Sequence, residues 1–152
     1  MGGVAAVEFA LLLIPMLILC FGIVEYGRAI YQYNTLAKGV RDAVRLLAQN
    51  NPSDTTYPTA AARCLAVHGN TTCTGQSLVP GLTVDDVVIC DRISSAGCTG
   101  QFANFDTSLG TINLVQVRIT GFDFALIGLP LVGNAEGIIT FGPIANTMRQ
   151  VS

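Results

Sequence analysis

The chain opens with a long apolar run. Residues Phe9 to Val24 include no charged side chain, and Glu8 is the one charge between Val4 and Val24. At ~1.5 Å per residue, a helix over residues 4–24 spans ~30 Å, about the thickness of a bilayer's hydrocarbon core. Met1-Gly2-Gly3 lacks the basic residues of a cleaved secretory signal. The pattern therefore predicts a retained membrane helix, with its membrane part over residues 4–26.

Helical spacing continues beyond the apolar run. Apolar residues recur at steps of three and four at Tyr33, Leu36, Val40, Ala43 and Leu47. Polar residues recur likewise on another face at Asn34, Lys38, Arg41 and Arg45. This spacing predicts a single helix over residues 4–51 that stops at Pro52, because proline cannot continue the hydrogen-bond pattern.

Composition changes after Pro52. Residues 52–152 contain eleven of the sixteen glycines and four of the five cysteines, which is typical of turn-rich antiparallel β structure. Val115, Val117 and Ile119 alternate with polar residues and predict a half-buried strand. The remaining candidates are strands at Val84–Ile93 and Gly137–Phe141 and a short helix at Thr59–His68. The predicted fold class is α+β, a long N-terminal helix followed by a small β-rich head.

The head contains four cysteines, Cys64, Cys73, Cys90 and Cys98. They allow three disulfide pairings, among which the sequence does not choose, although two local loops are the simplest. Zinc bound by four thiolates, or by three and His68, is the alternative, but CxxC spacings are missing. We favour disulfides, which form outside the cytoplasm. Disulfides would place the head outside the cytoplasm. The positive-inside rule predicts the opposite orientation, because Arg28 and the basic residues after it would favour the cytoplasmic side of the membrane.

Charge and motifs exclude other classes of protein. Eight Lys and Arg against ten Asp and Glu leave a net charge of −2, so no basic surface for nucleic acid is predicted. The sequence lacks the GxSxG nucleophile motif of hydrolases, the Walker loop, the HExxH zinc motif and the dinucleotide-binding motif. We therefore predict that the protein is not an enzyme and that it has no catalytic residues, no metal site and no cofactor. Asp85, Asp86 and Asp91 flank a candidate strand without calcium-binding or glycosidase spacing, and we expect them to face solvent.

Three residues at the end of the apolar run are candidate membrane-interface anchors. Glu25 and Arg28 are three residues apart, a spacing at which helical side chains pair. Tyr26 suits the aromatic belt at a membrane surface.

The N-terminus resembles a known family. Gly3-Val4-Ala5-Ala6-Val7-Glu8-Phe9 resembles the processing motif of type IVb pilins of the Flp class, in which a prepilin peptidase cleaves after Gly. Residues 2–48, GGVAAVEFALLLIPMLILCFGIVEYGRAIYQYNTLAKGVRDAVRLLA, are similar to the start of TadE-like proteins, minor pilins or pseudopilins of the tight-adherence (Tad) pilus. The four head cysteines have no counterpart in this resemblance.

The resemblance implies a role for the first residues. Cleavage after Gly3 would remove a residual leader, residues 1–3, and free a cationic amine on Val4. Glu8 lies one helical turn away, and a charge inside a membrane costs at least ~2.5 kcal/mol unless it is paired. Glu8 and Phe9 would then recruit and register subunits in a helix bundle. The alternative is that Glu8 lies at the headgroup level.

The resemblance also implies partners and a location. The partners are other pilin subunits, the pilus assembly platform, a prepilin peptidase and inner-membrane lipid. The head would lie outside the cytoplasm, anchored in the bacterial inner membrane or displayed on an assembled pilus. A permanently anchored periplasmic interaction factor, which keeps Gly2 and Gly3, is the first alternative. A membrane-tethered enzyme that depends on Asp85, Asp86 or His68 is the second.

Overall fold

A computed structural model of the protein describes residues 2–126 and 138–151. One helix, α1, runs from Gly2 to Ala48 and continues through Pro15. The other elements are α2 (Thr59–His68), a 3-10 turn (Val84–Asp86), β1 (Val87–Cys90), β2 (Phe105–Thr107), β3 (Gly110–Ile119), β4 (Asp123–Ala125), β5 (Ile138–Thr140) and β6 (Ile144–Gln150). A long N-terminal helix followed by antiparallel strands confirms the α+β class.

The strand candidates are confirmed in part. The strand predicted at Val84–Ile93 is shorter, because the chain first forms the 3-10 turn, in which Thr83 and Asp86 cap each other. The predicted strand at Gly137–Phe141 becomes β5, and its first residue lies outside the described residues. The helix candidate Thr59–His68 matches α2 residue for residue.

The chain forms two compact units. The N-terminal unit contains Met1–Tyr31 and Asp123–Thr140, and the head unit contains Gln32–Phe122 and Phe141–Ser152. In the N-terminal unit, β4 and β5 pair antiparallel, with Phe124 opposite Ile139. We call this pair the β4–β5 ribbon.

In the head unit, β3 is the central strand. It pairs antiparallel with β1, β2 and β6. Val115, Val117 and Ile119 are buried, so the period-2 pattern is confirmed. The buried face of α1 carries Leu36, Val40, Ala43, Val44 and Leu47, and α2 adds Ala62, Ala66 and Val67. Asn34, Lys38, Arg41 and Arg45 are exposed, as the helical spacing predicts.

Helices α1 and α2 meet closely at Gly39. A Cβ atom added to Gly39 would lie 2.8 Å from the carbonyl oxygen of Ala66 and 3.4 Å from Leu78 Cδ1. The first contact is with helix backbone, which cannot rotate away as a side chain can. Glycine is therefore needed here for the close approach of two helices.

We expect Gly39→Ala to destabilise the head unit by about 1–2 kcal/mol. Overpacking costs up to ~3 kcal/mol and exceeds the ~1 kcal/mol that alanine gains over glycine in helix propensity. Thermal unfolding followed by circular dichroism in detergent measures the change. The control is Gly27→Ala, because a Cβ atom there meets nothing within 4 Å. Equal melting temperatures for the two variants would contradict the assignment.

Candidate functional site

The first half of α1 exposes its apolar side chains. They include Val4, Val7, Phe9, Leu12, Met16, Leu19, Ile23 and Val24. None of the most apolar eighteen-residue window is buried, whereas a core helix of a soluble protein would be mostly buried. Within the described ranges, α1 is the one helix long and apolar enough to cross a membrane. So large an apolar surface calls for lipid or other helices around it.

Glu8 lies on this exposed surface. Gly3, Val4 and Phe9 are exposed with it in the first turns of α1. Among the residues that the structure describes, none forms an ion pair or hydrogen bond with the Glu8 carboxylate. The carboxylate is thus available to a group outside this chain or to a newly formed N-terminal amine. Cleavage after Gly3 and the role of Glu8 in assembly stay predictions.

Glu25 and Arg28 form an ion pair near the end of the apolar run. Arg28 Nη2 donates to Glu25 Oε2 at 2.7 Å, and Arg28 Nε donates to the same oxygen at 3.2 Å. Glu25 is only 8% exposed. The i,i+3 spacing places both side chains on one face, so the predicted pairing is present.

Arg28 also contacts the β4–β5 ribbon. Its guanidinium lies 4.4 Å from the ring centroid of Phe124, a cation–π distance, and Nη2 donates to the carbonyl oxygen of Ala125. Tyr26, by contrast, is 69% exposed. Of the three candidate anchors, Tyr26 alone presents most of its surface outward. Sequence reasoning missed the contact between Arg28 and Phe124, because nothing local marks an interaction so distant in the chain.

The four head cysteines form two disulfides. Cys64 in α2 pairs with Cys73, and their Cα atoms are 4.7 Å apart. Cys90 at the end of β1 pairs with Cys98, with Cα atoms 6.0 Å apart. These are the two local loops among the three possible pairings, and the disulfide-bonded head is confirmed. Cys20 is free and exposed on α1.

Asp91 is buried, so the expectation that it faces solvent is wrong. It is 2% exposed, and its Oδ1 accepts hydrogen bonds from the backbone N–H groups of Ile93 at 2.8 Å and Ser94 at 2.7 Å. These donors replace water, which is why a carboxylate can lie at the end of a strand without solvent. Asp85 is exposed, as expected.

Tyr57 joins Asp91 to the C-terminal strand. Gln150 Nε2 donates to the Tyr57 hydroxyl at 2.9 Å, and Asp91 lies close enough for its negative charge to act on that hydroxyl. Burial raises the pKa of Tyr57 to about 12, and the negative charge of Asp91 contributes in the same direction. The pKa is raised because both effects disfavour a phenolate. These interactions connect the loop that carries Tyr57 with the residue after β1 and with the last residue of β6.

We expect the head unit to lose stability between about pH 10 and about pH 12. An unfolded tyrosine ionises near pH 10, so the unfolded state releases a proton that folded Tyr57 keeps up to about pH 12. Below pH 10 the contribution is constant. Two pKa units correspond to at most ~2.7 kcal/mol, and partial exposure reduces this to about 1 kcal/mol.

Melting temperatures recorded at intervals across this pH window test the expectation. Tyr57→Phe removes the ionisable group and should flatten part of the decline. Tyr26→Phe is the control, because Tyr26 is exposed on α1. A decline as steep in Tyr57→Phe as in the unaltered chain would contradict the role given to Tyr57.

The chain thus combines an exposed apolar N-terminal helix, of a length and composition suited to membrane anchoring, with a disulfide-bonded α+β head. Residues 3–45 match the TadE family model, described as TadE-like protein. The resemblance of the sequence to TadE-like proteins of Tad pilus systems is confirmed over this segment. That family is structural and concerned with assembly rather than catalysis. No curated protein and no solved structure matches the chain.

Proposed function

We propose that the chain is a structural or assembly subunit of a Tad-type pilus, a minor pilin or pseudopilin. Its N-terminal helix packs among other helices, and its head is displayed outside the cytoplasm. The observation that carries the proposal is the exposed apolar surface of α1 within the segment that matches the TadE-like family. A pilus subunit needs such a surface twice, first in the membrane and then in a helix bundle.

Glu8 gives this surface its specificity. A prepilin peptidase would cleave between Gly3 and Val4, leaving a cationic amine one helical turn from Glu8. The amine would neutralise a carboxylate of its own or of a neighbouring subunit inside the apolar bundle. Unpaired, that carboxylate costs at least ~2.5 kcal/mol in the membrane, so pairing favours one register of packing over others.

The two disulfides support a head outside the cytoplasm. Disulfides persist in oxidising compartments and are rare in the cytosol. The exposed basic residues Lys38, Arg41 and Arg45 would alone favour the opposite orientation. We give the disulfides more weight, because two bonds with unstrained Cα separations need an oxidising compartment, whereas basic residues beyond the bilayer set only a bias.

The N-terminal residue of the protein recovered from its native host tests this function. We expect a start at Val4 and recovery of the protein in the sheared surface fraction as well as in the envelope. Gly3→Val should block cleavage, and Gly2→Val is the matched control one residue away. An intact Gly3–Val4 bond in all recovered protein would contradict the proposal. It would favour the alternative of a permanently anchored periplasmic interaction factor.

A further inference from the structure

The β4–β5 ribbon contacts α1 just beyond the apolar run. Arg28 lies four residues after Val24, a distance of ~6 Å along a helix. A hydrocarbon core of ~30 Å within a bilayer of ~40–45 Å leaves ~5–7 Å of headgroup layer on each side. When residues 4–24 cross the core, Arg28 and the ribbon segment that it contacts therefore lie at the level of the headgroups.

Arg28 is occupied within the protein. Two of its donors bind Glu25, Nη2 also binds the Ala125 carbonyl oxygen, and its guanidinium lies against the Phe124 ring. These hydrogen bonds engage three of the five N–H donors of the guanidinium, and they join Arg28 both to its own helix and to β4. Arg28 is thus a positioning residue that holds β4 against α1.

The outward face of the ribbon carries polar and small side chains, which suit the hydrated headgroup layer of a membrane. Phe124 of β4 is buried, while Asp123 and Ala125 on either side of it are exposed. Thr140 of β5 is exposed and donates to Asp123 Oδ1 at 2.6 Å. Exposed Tyr26 lies on α1 two residues before Arg28, and tyrosine is enriched where a protein meets headgroups.

We propose that the β4–β5 ribbon is an interfacial collar. It lies in the headgroup layer, its partner is the lipid surface, and it fixes how deeply α1 inserts, with Arg28 holding it in place. This inference rests on the proposed membrane crossing of α1. It adds a membrane contact made by residues far from the N-terminal helix in sequence.

The absence of tryptophan from the sequence makes single tryptophans clean reporters of depth. Three full-length variants are reconstituted into vesicles of equal parts phosphatidylcholine and phosphatidylglycerol: Leu12→Trp in the apolar run, Ala125→Trp in the collar and Asn34→Trp farther along α1. All three positions are exposed. Quenching is compared between lipids brominated near the headgroup and lipids brominated near the bilayer centre.

We expect each reporter to show a distinct profile. Ala125→Trp should be quenched at least two-fold more by shallow than by deep bromine, Leu12→Trp more by deep bromine, and Asn34→Trp by neither. An unquenched Leu12→Trp would overturn the membrane crossing itself. A quenched Leu12→Trp together with an unquenched Ala125→Trp would overturn the collar and leave the crossing intact.

A second comparison tests the role of Arg28. In the Ala125→Trp background, Arg28→Gln should reduce shallow quenching at least two-fold, because the ribbon loses its contact with α1. Arg41→Gln is the matched control, since Arg41 is exposed and bears the same charge. Thr140→Trp on β5 provides an independent reporter should Ala125→Trp disturb the ribbon. Unchanged quenching for both reporters in Arg28→Gln would show that Arg28 does not hold the collar.

Discussion

Replacing Cys90 and Cys98 together by alanine is expected to lower the melting temperature of the head unit by about 10–20 °C. The bond closes a loop of sequence separation 8, and loop entropy alone assigns about 2.5 kcal/mol to it. Cys90 is also fully buried at the end of β1, so removing its sulfur leaves a cavity beside the central strand. Circular dichroism of the full chain in detergent measures the shift.

The Cys64–Cys73 pair provides a graded comparison. Its loop is of similar length, but Cys73 is exposed, so the corresponding double alanine variant should lose less stability. Cys20→Ala is the matched control, because Cys20 is free and exposed on α1 and should leave the head unchanged. A melting temperature of the Cys90, Cys98 variant within 3–4 °C of the control (about the effect of less than ~1 kcal/mol) would contradict the structural role.

The sequence predicted those helices and strands whose hydrophobic pattern is set by residues close together in the chain. The apolar faces of α1 and β3 could be predicted because hydrophobic periods of 3.6 and 2 follow from backbone geometry. Gly121 has a positive φ of 71° two residues before β4, a conformation that glycine adopts without strain. The stop at Pro52 was predicted to within a few residues, since α1 ends at Ala48.

Long-range pairing accounts for what the sequence did not reveal. Strand β6 has the sequence IANTMRQ, in which apolar and polar residues do not alternate regularly. Nevertheless, all seven of its residues pair in register with β3. The burial of Asp91 was missed because the sequence does not show that turn N–H groups satisfy its carboxylate, or that Tyr57, distant in the chain, lies near it. The contact of Arg28 with Phe124 is of the same kind, since its two residues belong to different elements.

The family match spans two surfaces of one helix. Residues 3–45 include the exposed apolar run and also Leu36, Gly39 and Val40, which are buried in the head unit. The matched segment therefore combines a surface for lipid or other helices with a face that a head must cover. The proposed pilus function needs both surfaces, one for the packing of the helix and one for the folding of the head.

Glu8→Gln is expected to lower the amount of protein in the sheared surface fraction at least ten-fold, equivalent to about 1.4 kcal/mol at one subunit contact. Glutamine keeps the size of the side chain and much of its hydrogen bonding, but it cannot neutralise a cationic amine on Val4. The protein should still be cleaved after Gly3 and still be present in the envelope fraction, because the apolar run is unchanged. Quantitative immunoblotting of both fractions, with N-terminal sequencing, measures all three results.

Glu8→Asp separates charge from shape. Aspartate keeps the negative charge on a shorter side chain, so it should restore part of the assembly that glutamine loses. Because Glu8 has no partner among the described residues of its own chain, its effect on the stability of the head should be negligible. Full incorporation of Glu8→Gln into the sheared fraction would mean that Glu8 lies at the headgroup level, where a neutral side chain serves as well. In that case the apolar surface of α1 alone would drive its packing.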